Sequence, residues 1–372
     1  MSPSSLQMSR RIRRTPYTRR VEQCGVRGYS VVNHMILPKA FGPDVEDDYW
    51  HLRENVQVWD VSTQRQVALQ GPNAADLVQW MTPRDLTDMQ VGQCRYAPLV
   101  DEHGCLINDP VLLKLSPQHF WLSIADSDVL LWAKGLARGA NLDVCVTEPD
   151  VSPLAVQGPK AEEVVAGVFG DAVRALKFFQ FGWFPFAGTQ QLVARSGYSR
   201  QGGFEIYLHG AEYGEPLWDA IWDAGVAHNI RAGCPNLIER IEGGLLSYGN
   251  EFTRDDNPIE CGLSAFCDLD ADIETLGGPA LRAIVDRGVE RNMRGIQVAA
   301  PRQHSAVTQP WPVYSDDEQI GIITSGIWSP RLKTHVGLSI LPRAYWEPGQ
   351  SVVVMTPDGS QHDGIVSALP FP

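Results

Sequence analysis

The chain has 372 residues, 44% of them hydrophobic, which is enough to bury a sizeable core and favours two or three domains over one. Its formal net charge of -13 argues against a nucleic-acid partner, because binding phosphates requires a basic face. Small molecules are therefore the expected ligands.

The seven cysteines are widely spaced and form no C-x-x-C pair, a pattern typical of neither a disulfide framework nor a zinc site. The nine histidines show no H-x-x-x-H or H-E-x-x-H spacing, so we expect no metal site. No stretch has the roughly eighteen uninterrupted apolar residues of a membrane span. We expect a cytoplasmic protein that does not bind a membrane.

The amino-terminal segment SRRIRRTPYTRR carries six arginines between Arg10 and Arg20. The absence of a following apolar run excludes a secretory signal, and a solvated arm is favoured over a mitochondrial presequence. An apolar run follows from Gly28 to Phe41, and we expect His34 within it to be a buried core histidine. Next come an acidic helix over 44–54 and a short strand over 56–62.

An internal repeat follows, with VALQGPNAADLVQWM at 67–81 and LAVQGPKAEEVVAGVF at 154–169. Each predicts a strand, a turn and a helix with proline near its start, where a missing N–H costs nothing. This internal repeat indicates two related halves. The alternative is that two unrelated helices each begin with Gly-Pro. Between the two units, a hairpin over 96–115 and further strands around a helix favour an α+β fold.

The segment VARSGYSRQGGFEIYL, residues 193–208, combines a glycine-bearing polar turn with an alternating strand. Period-two alternation places Glu205 and Tyr207 on one face and apolar residues on the other. The turn brings Ser196 and Tyr198 to a backbone that can approach a flat ligand closely. This pattern predicts a site for a planar, hydrogen-bonding ligand; the alternative is a hairpin whose outer face is polar.

Two helices are predicted over 215–226 and 237–246, followed by an acidic linker over 268–274. From Met293 onward, short strands broken by turns predict a separate β-barrel or sandwich, with a boundary near residue 285. No GxGxxG, GxxxxGK[ST] or GxSxG motif occurs, which removes the main support for a nucleotide site or a serine hydrolase.

Seven segments resemble the glycine-cleavage T-protein (aminomethyltransferase) family of tetrahydrofolate-dependent enzymes, in the family's own order. They are VWDVS (58–62), the repeated Q-G-P-x-A, GCLINDPVL (104–112), SGYSRQGGFEIYL (196–208), RIEGGLLSYGNE (240–251), NPIECGL (257–263) and GIITSGIWSP (321–330). Two amino-terminal segments, RIRRTPYTRRVEQCGVRGYSVVNHMILPKAF and DDYWHLRENVQVWDVSTQRQV, resemble its dimethylsulfoniopropionate demethylase branch.

The resemblance implies a three-domain cloverleaf around a central folate channel, with two ferredoxin-like α+β domains and a carboxy-terminal β-barrel. The expected limits are 1–54 with 147–285 for the folate-binding domain, 55–146 for an inserted domain and 286–372 for the barrel.

The same resemblance implies a set of site residues. Glu205 is expected to hold the pterin of tetrahydrofolate, with Tyr198, Tyr207 and Ser196 beside it; Tyr96 and Asn108 are the expected catalytic residues. A sulfonium substrate prefers aromatic faces, and Trp59, Trp328 and Met35 are the expected substrate wall.

The chain departs from the family pattern at two places. Asn108-Asp109 replaces a paired Asp-Asp, and an amide cannot take up a proton as a carboxylate can. Pro235-Asn236-Leu237 replaces A-R-D, which removes an arginine expected to meet the folate tail. The first departure suits methyl transfer from a sulfonium, where the leaving group is already charged and positioning supplies most of the catalysis.

The expected activity is methyl transfer from dimethylsulfoniopropionate to N5 of tetrahydrofolate. Another donor is the first alternative: a betaine-like amine, a methoxy compound or sarcosine. A folate-binding regulator without turnover is the second. A homodimer is compatible with the sequence.

Overall fold

The computed structural model describes residues 8–303 and 306–372. The helices are α1 (Thr18–Gln23), α2 (Val45–Glu54), α3 (Ala74–Met81), α4 (Val129–Gly139), α5 (Ala161–Phe169), α6 (Gly214–Gly225), α7 (Leu237–Glu242) and α8 (Gly278–Arg287). The first strands are β1 (Gly28–Val32), β2 (Met35–Ala40), β3 (Val56–Asp60), β4 (Gln66–Gln70), β5 (Cys94–Tyr96), β6 (Leu99–Val100), β7 (Leu106–Asn108), β8 (Val111–Ser116), β9 (His119–Ser123), β10 (Cys145–Thr147) and β11 (Val151–Gln157). The remaining strands are β12 (Phe181–Phe186), β13 (Thr189–Ala194), β14 (Gly203–His209), β15 (Ile230–Gly233), β16 (Arg291–Val298), β17 (Trp311–Ser315), β18 (Glu318–Ile323), β19 (Ser325–Ser329), β20 (Thr334–Pro342), β21 (Ser351–Met355) and β22 (Gln361–Ser367).

A six-stranded sheet in the order β12-β13-β14-β11-β3-β15 carries the segment around Glu205. Its pairings are antiparallel except for β15 with β3. One face packs on α5 and α6 through a core that includes Phe204, Ile206 and Leu208. The predicted alternation along β14 is therefore confirmed, because these three side chains lie opposite Glu205.

A five-stranded sheet in the order β10-β4-β9-β8-β5 lies over the other face of the first sheet. A shared core that includes Trp121, Leu192 and Tyr207 joins the two sheets, while α3 and α4 cover the outer face of the second. The molecule is thus layered helix, sheet, sheet, helix in this region. Glu205 and Tyr207 consequently face another protein layer and are buried, rather than lying on an outer surface.

The carboxy-terminal part forms a seven-stranded antiparallel sheet in the order β18-β17-β21-β22-β16-β20-β19. The sheet curls, so that β18 at one edge approaches β20 near the other, and it encloses its own apolar core. The predicted α+β architecture with a barrel-like carboxy-terminal domain is confirmed.

The amino-terminal segment is docked rather than solvated. Tyr17 is fully buried and its hydroxyl donates to Ser152 O at 3.0 Å. Arg19 forms a bidentate pair with Glu215, and Arg20 pairs with Asp219, both acceptors lying on α6. Arginines that suggested a free arm therefore attach it to the core.

Three further expectations differ from the structure. His34 is exposed, because Asn33 and His34 form the turn of the β1–β2 hairpin instead of lying inside a buried run. The helix predicted over 237–246 ends at Glu242, since Gly243 and Gly244 follow and Gly244 has a φ of +64°. Strand β3 pairs with β11, so it belongs to the sheet that carries Glu205, although it follows the predicted domain limit at residue 54.

Candidate functional site

The turn between β13 and β14 is built on Gln157, the first residue of the second Q-G-P unit. Gln157 Nε2 donates to Ser196 O at 3.1 Å, and its Oε1 accepts from Ser199 Oγ at 2.7 Å. A Cβ at Gly197 would lie 2.1 Å from Gln157 Oε1, and one at Gly203 would lie 2.3 Å from Val156 O. Only glycine fits at these two positions, whose φ values are +153° and +145°.

Glu205 is the buried carboxylate at the start of β14. It is 5% exposed, and Oε2 accepts a hydrogen bond from Ser196 Oγ at 2.5 Å. Burial raises its pKa, and the bond from Ser196 only partly offsets that effect. Among the described residues no donor reaches Oε1, so this oxygen is available for a ligand that brings N–H groups.

Tyr207 follows Glu205 on the same face and points into the core between the two sheets. It is fully buried, and its ring centroid lies 6.4 Å from that of Trp121. Burial raises the pKa of the Tyr207 hydroxyl, with the charge of Glu205 next, and a hydrogen bond with Ser123 partly offsets the shift. Tyr207 is thus a residue of the core between the two sheets, and its role in binding folate stays a prediction.

Tyr96 and Asp109 form a pair at the edge of the five-stranded sheet. The Tyr96 hydroxyl donates to Asp109 Oδ2 at 2.8 Å, and the Tyr96 ring packs edge-on against Phe266 at 4.8 Å. Burial raises the pKa of Asp109 to about 7 despite the bond from Tyr96. Oδ1 is buried and has no partner in the described part of the chain. Asp109 can therefore hold or release a proton near neutral pH.

Tyr198 and Arg240 join the turn to the rest of the site. The Tyr198 hydroxyl donates to Leu246 O at 2.5 Å. Arg240 is 7% exposed; it bonds both oxygens of Glu251 at 3.1 Å and reaches Ser325 Oγ, on β19, at 2.8 Å. These contacts tie the β14 turn, the segment after α7 and the carboxy-terminal sheet together.

Charged groups on the two sheets lie close enough to act on one another. After burial, the charge of Glu205 is the next cause that raises the pKa of Cys94 on β5. Burial also raises the pKa of Tyr96, with the charge of Asp109 next and a smaller contribution from Tyr198. That these residues form one site stays a prediction.

Asn108 lies in this region, but its side chain is engaged by the protein. It is fully buried; Oδ1 accepts from Ala125 N at 3.0 Å and Nδ2 donates to Ser127 Oγ at 2.8 Å. The neighbouring Asp109 is the residue with a free oxygen. The catalytic role of Asn108 stays a prediction.

The three expected substrate-wall residues lie apart. Trp59 is 1% exposed, packs on Leu52 and donates through Nε1 to Gln57 at 2.9 Å. Trp328 lies in the carboxy-terminal sheet, edge-on to a histidine, and Met35 lies on β2 beside the arginine-rich amino-terminal segment. No contact among the described residues brings these three together, and their role in binding the substrate stays a prediction.

Comparison with known proteins matches residues 17–271 to the GCVT N-terminal domain and residues 291–371 to the glycine cleavage T-protein C-terminal barrel domain. The chain belongs to the glycine cleavage T-protein family. It is 47% identical over 356 residues to the dimethylsulfoniopropionate demethylase DmdA of Ruegeria pomeroyi, covering 96% of each chain. It is 30% identical to an aminomethyltransferase of Listeria monocytogenes, covering 86% of this chain and 87% of that one.

A solved T-protein structure has the same fold. The glycine cleavage system aminomethyltransferase T of Bartonella henselae superposes with a TM-score of 0.85 at 23% identity, covering 97% of this chain and 98% of that one. The family predicted from the motifs is thus confirmed, and so is its fold.

The structure explains one departure from the T-protein pattern, the asparagine at position 236. Asn236, where the family motif has arginine, caps α7: Oδ1 accepts from Ile238 N at 3.0 Å and from Glu239 N at 3.2 Å, while Nδ2 donates to Val45 O. Asn236 thus caps α7 and links it to α2, so its side chain is not available to bind a folate tail.

The set of site residues predicted from the sequence omitted four polar side chains that form hydrogen bonds in this region of the structure: Asp109, Gln157, Arg240 and Glu251. All four lie in motifs that carried the family resemblance, beside or inside GCLINDPVL, Q-G-P and RIEGGLLSYGNE. The available signal was a charged side chain for Asp109, Arg240 and Glu251, and the repeated Q-G-P motif for Gln157. Their partners lie far away in sequence, so pairing them required the fold.

Proposed function

We propose that this chain is a tetrahydrofolate-dependent demethylase. It transfers a methyl group from dimethylsulfoniopropionate to N5 of tetrahydrofolate and gives 3-methylmercaptopropionate and 5-methyltetrahydrofolate. The observation that carries the proposal is the 47% identity, across 96% of both chains, to a protein named for dimethylsulfoniopropionate demethylation.

The residues around Glu205 fit the pterin of tetrahydrofolate. An ionised carboxylate with one unpartnered oxygen suits the amino and N–H donors at the edge of the ring, and the glycine turn lets the backbone approach its plane. Ser196 orients the carboxylate, Tyr207 lies on the same face of β14, and Tyr198 belongs to the glycine turn. When bound, tetrahydrofolate would supply the nucleophilic nitrogen that takes the methyl group.

The chain's own residues contribute positioning and one proton acceptor. Because the leaving thioether is neutral, no acid is needed to release it, and alignment of donor and acceptor lowers the barrier. Methylation of a secondary amine leaves one proton to remove, and Asp109 Oδ1 accepts it while Tyr96 holds Oδ2. Before that step, the ionised Asp109 also offsets the positive charge of the sulfonium.

The test incubates the purified protein, without air, with tetrahydrofolate and one donor at a time. The donors are dimethylsulfoniopropionate, glycine betaine, sarcosine and a methoxy aromatic compound. We expect equal amounts of 5-methyltetrahydrofolate and 3-methylmercaptopropionate with the sulfonium and no methylated folate with the others. Methylated folate from betaine alone would assign another donor, and folate binding without any turnover would assign a regulator.

We also propose a cytoplasmic location, because the thiols of all seven cysteines are free and a reduced folate fits a reducing compartment. Among the described residues no helix is long and apolar enough to cross a membrane. The homodimer stays a prediction that light scattering of the purified protein would test.

A further inference from the structure

We infer that Asn108 is a positioning residue: its amide fixes the segment 125–127, on which the tip of the β1–β2 hairpin docks beside Asp109. The kinetic part of this inference rests on the proposed methyl transfer, whereas its structural part does not. It gives a physical reason for an amide where the aminomethyltransferase pattern has a carboxylate.

The orientation of the Asn108 amide is fixed by its neighbours. The backbone N–H of Ala125 can only donate, so the atom that faces it at 3.0 Å must be the oxygen. The NH₂ group therefore faces Ser127 Oγ at 2.8 Å. Ser127 uses its own proton on Ile107 O at 2.9 Å, so its oxygen needs a donor from Asn108. The network is complete with an amide and lacks one proton with a carboxylate.

The same segment holds the hairpin. Asn33 Nδ2 donates to Ala125 O at 2.9 Å and to Thr63 O at 2.9 Å, and Asn33 N donates to Asp126 Oδ1 at 2.7 Å. Asn33 and His34 have φ values of +51° and +61°, the two left-handed residues of a type I′ turn. The strained tip is thus held by the segment that Asn108 organises.

Replacing the Asn108 amide with a carboxyl group would disturb this arrangement in a proton-dependent way. The ionised carboxylate would face the Ser127 oxygen without a proton between them, and it would add a second buried charge next to Asp109. Ser127 could turn its proton toward the carboxylate, but Ile107 O would then lose its donor. Protonation of the new carboxyl group restores the missing donor. Lowering the pH should therefore restore the hydrogen bond to Ser127 Oγ in the variant.

Asn108→Asp is the test variant, and Asn73→Asp is its matched control. Asn73 is half-buried in the same domain; it accepts from Asp143 N and donates to Asp76, so the same chemical change is made away from the site. Hydrogen exchange at pH 8 should lose protection at residues 30–36 and 124–127 in Asn108→Asp only. This readout requires no demethylation.

Kinetics provide the second readout. At pH 8, Asn108→Asp should lower kcat/KM for the sulfonium about 10- to 100-fold. The pH readout is hydrogen exchange: relative to the wild type at the same pH, which shares Asp109, Asp126 and His34, hairpin protection in Asn108→Asp should recover severalfold between pH 8 and pH 6. Adding Ser127→Ala to the variant should recover part of the activity at pH 8, because no oxygen then opposes the carboxylate.

Unchanged exchange at the hairpin would overturn the inference, even if activity fell. Hairpin protection in Asn108→Asp that stays equally low relative to the wild type at pH 6 would also overturn it. If the wild type demethylates nothing while Asn108→Asp still loses hairpin protection, the structural inference stands and the proposed function is refuted, so the two failures are distinguishable.

Discussion

Replacing Glu205 with glutamine should weaken folate binding without destabilising the unliganded protein. Glutamine keeps the volume and can still accept the bond from Ser196, but it removes the charge. Hydrogen bonds to a charged group contribute about 1.5–3 kcal/mol each. Losing one such increment weakens binding about 10- to 100-fold, since 1.4 kcal/mol corresponds to a factor of ten.

The stability of the unliganded protein should respond in the opposite direction. Burial raises the pKa of Glu205, and no cation is paired with it among the described residues. Its contribution to the free energy of unfolding is therefore fully present below the unfolded pKa and is lost as pH rises through the folded pKa. At pH 8 the glutamine variant should unfold at the same urea concentration as the wild type or a higher one.

Calorimetric titration with tetrahydrofolate and urea unfolding at pH 8 measure these two effects. Glu239→Gln is the control, because Glu239 is equally buried but is paired with Arg53 at 3.0 Å. The control should lose stability and keep its folate affinity. A wild-type dissociation constant in Glu205→Gln would refute the assignment of Glu205 to the pterin.

Three further predictions concern separate parts of the site. Asp109→Asn should lower kcat at least tenfold and abolish the rise of activity through pH 7, where the wild-type carboxyl ionises; an unchanged pH profile would refute its role as proton acceptor. Arg240→Met should cost about 3–5 kcal/mol in urea unfolding because it leaves Glu251 buried and unpaired, and adding Glu251→Leu should recover most of that loss; no recovery would contradict the pairing. Trp59→Phe should cost about 1–3 kcal/mol of stability, and KM for the sulfonium tests the substrate-wall prediction: a tenfold higher KM would support it, and an unchanged KM would refute it.

Local patterns predicted the architecture well where they described a single element. The alternation along β14 placed Glu205 and Tyr207 on one face, and the structure has them there. Periodicity cannot show what covers a face of a strand. The polar face of β14 could have been exposed to solvent, but in the structure the five-stranded sheet covers it. The prediction of a solvated amino-terminal arm was wrong for the same reason, because Arg19 and Arg20 pair with acidic residues almost 200 positions away in the sequence.

The roles of the candidate site residues stay predictions. Glu205, Ser196, Tyr198 and Tyr96 came from motif resemblance; in the fold Ser196 bonds Glu205, Tyr96 bonds Asp109 and Tyr198 bonds Leu246 O. The sequence singled out position 108, but it could not show that Asn108 is saturated by Ala125 and Ser127. Hydrogen-bond saturation depends on which backbone groups arrive from other strands, and only the folded chain supplies them.

The buried carboxylates near the candidate site divide into two kinds by the charge of their partners. Glu251 and Glu239 are each paired with an arginine, so their charges are compensated within the protein. Glu205 and Asp109 have hydroxyl partners only, and burial raises the pKa of both. An uncompensated buried charge costs stability, and a fold retains it where a bound group supplies the missing donors or cation. Under the proposed function, the pterin would bind at Glu205 and the sulfonium at Asp109, with the methyl transfer between them.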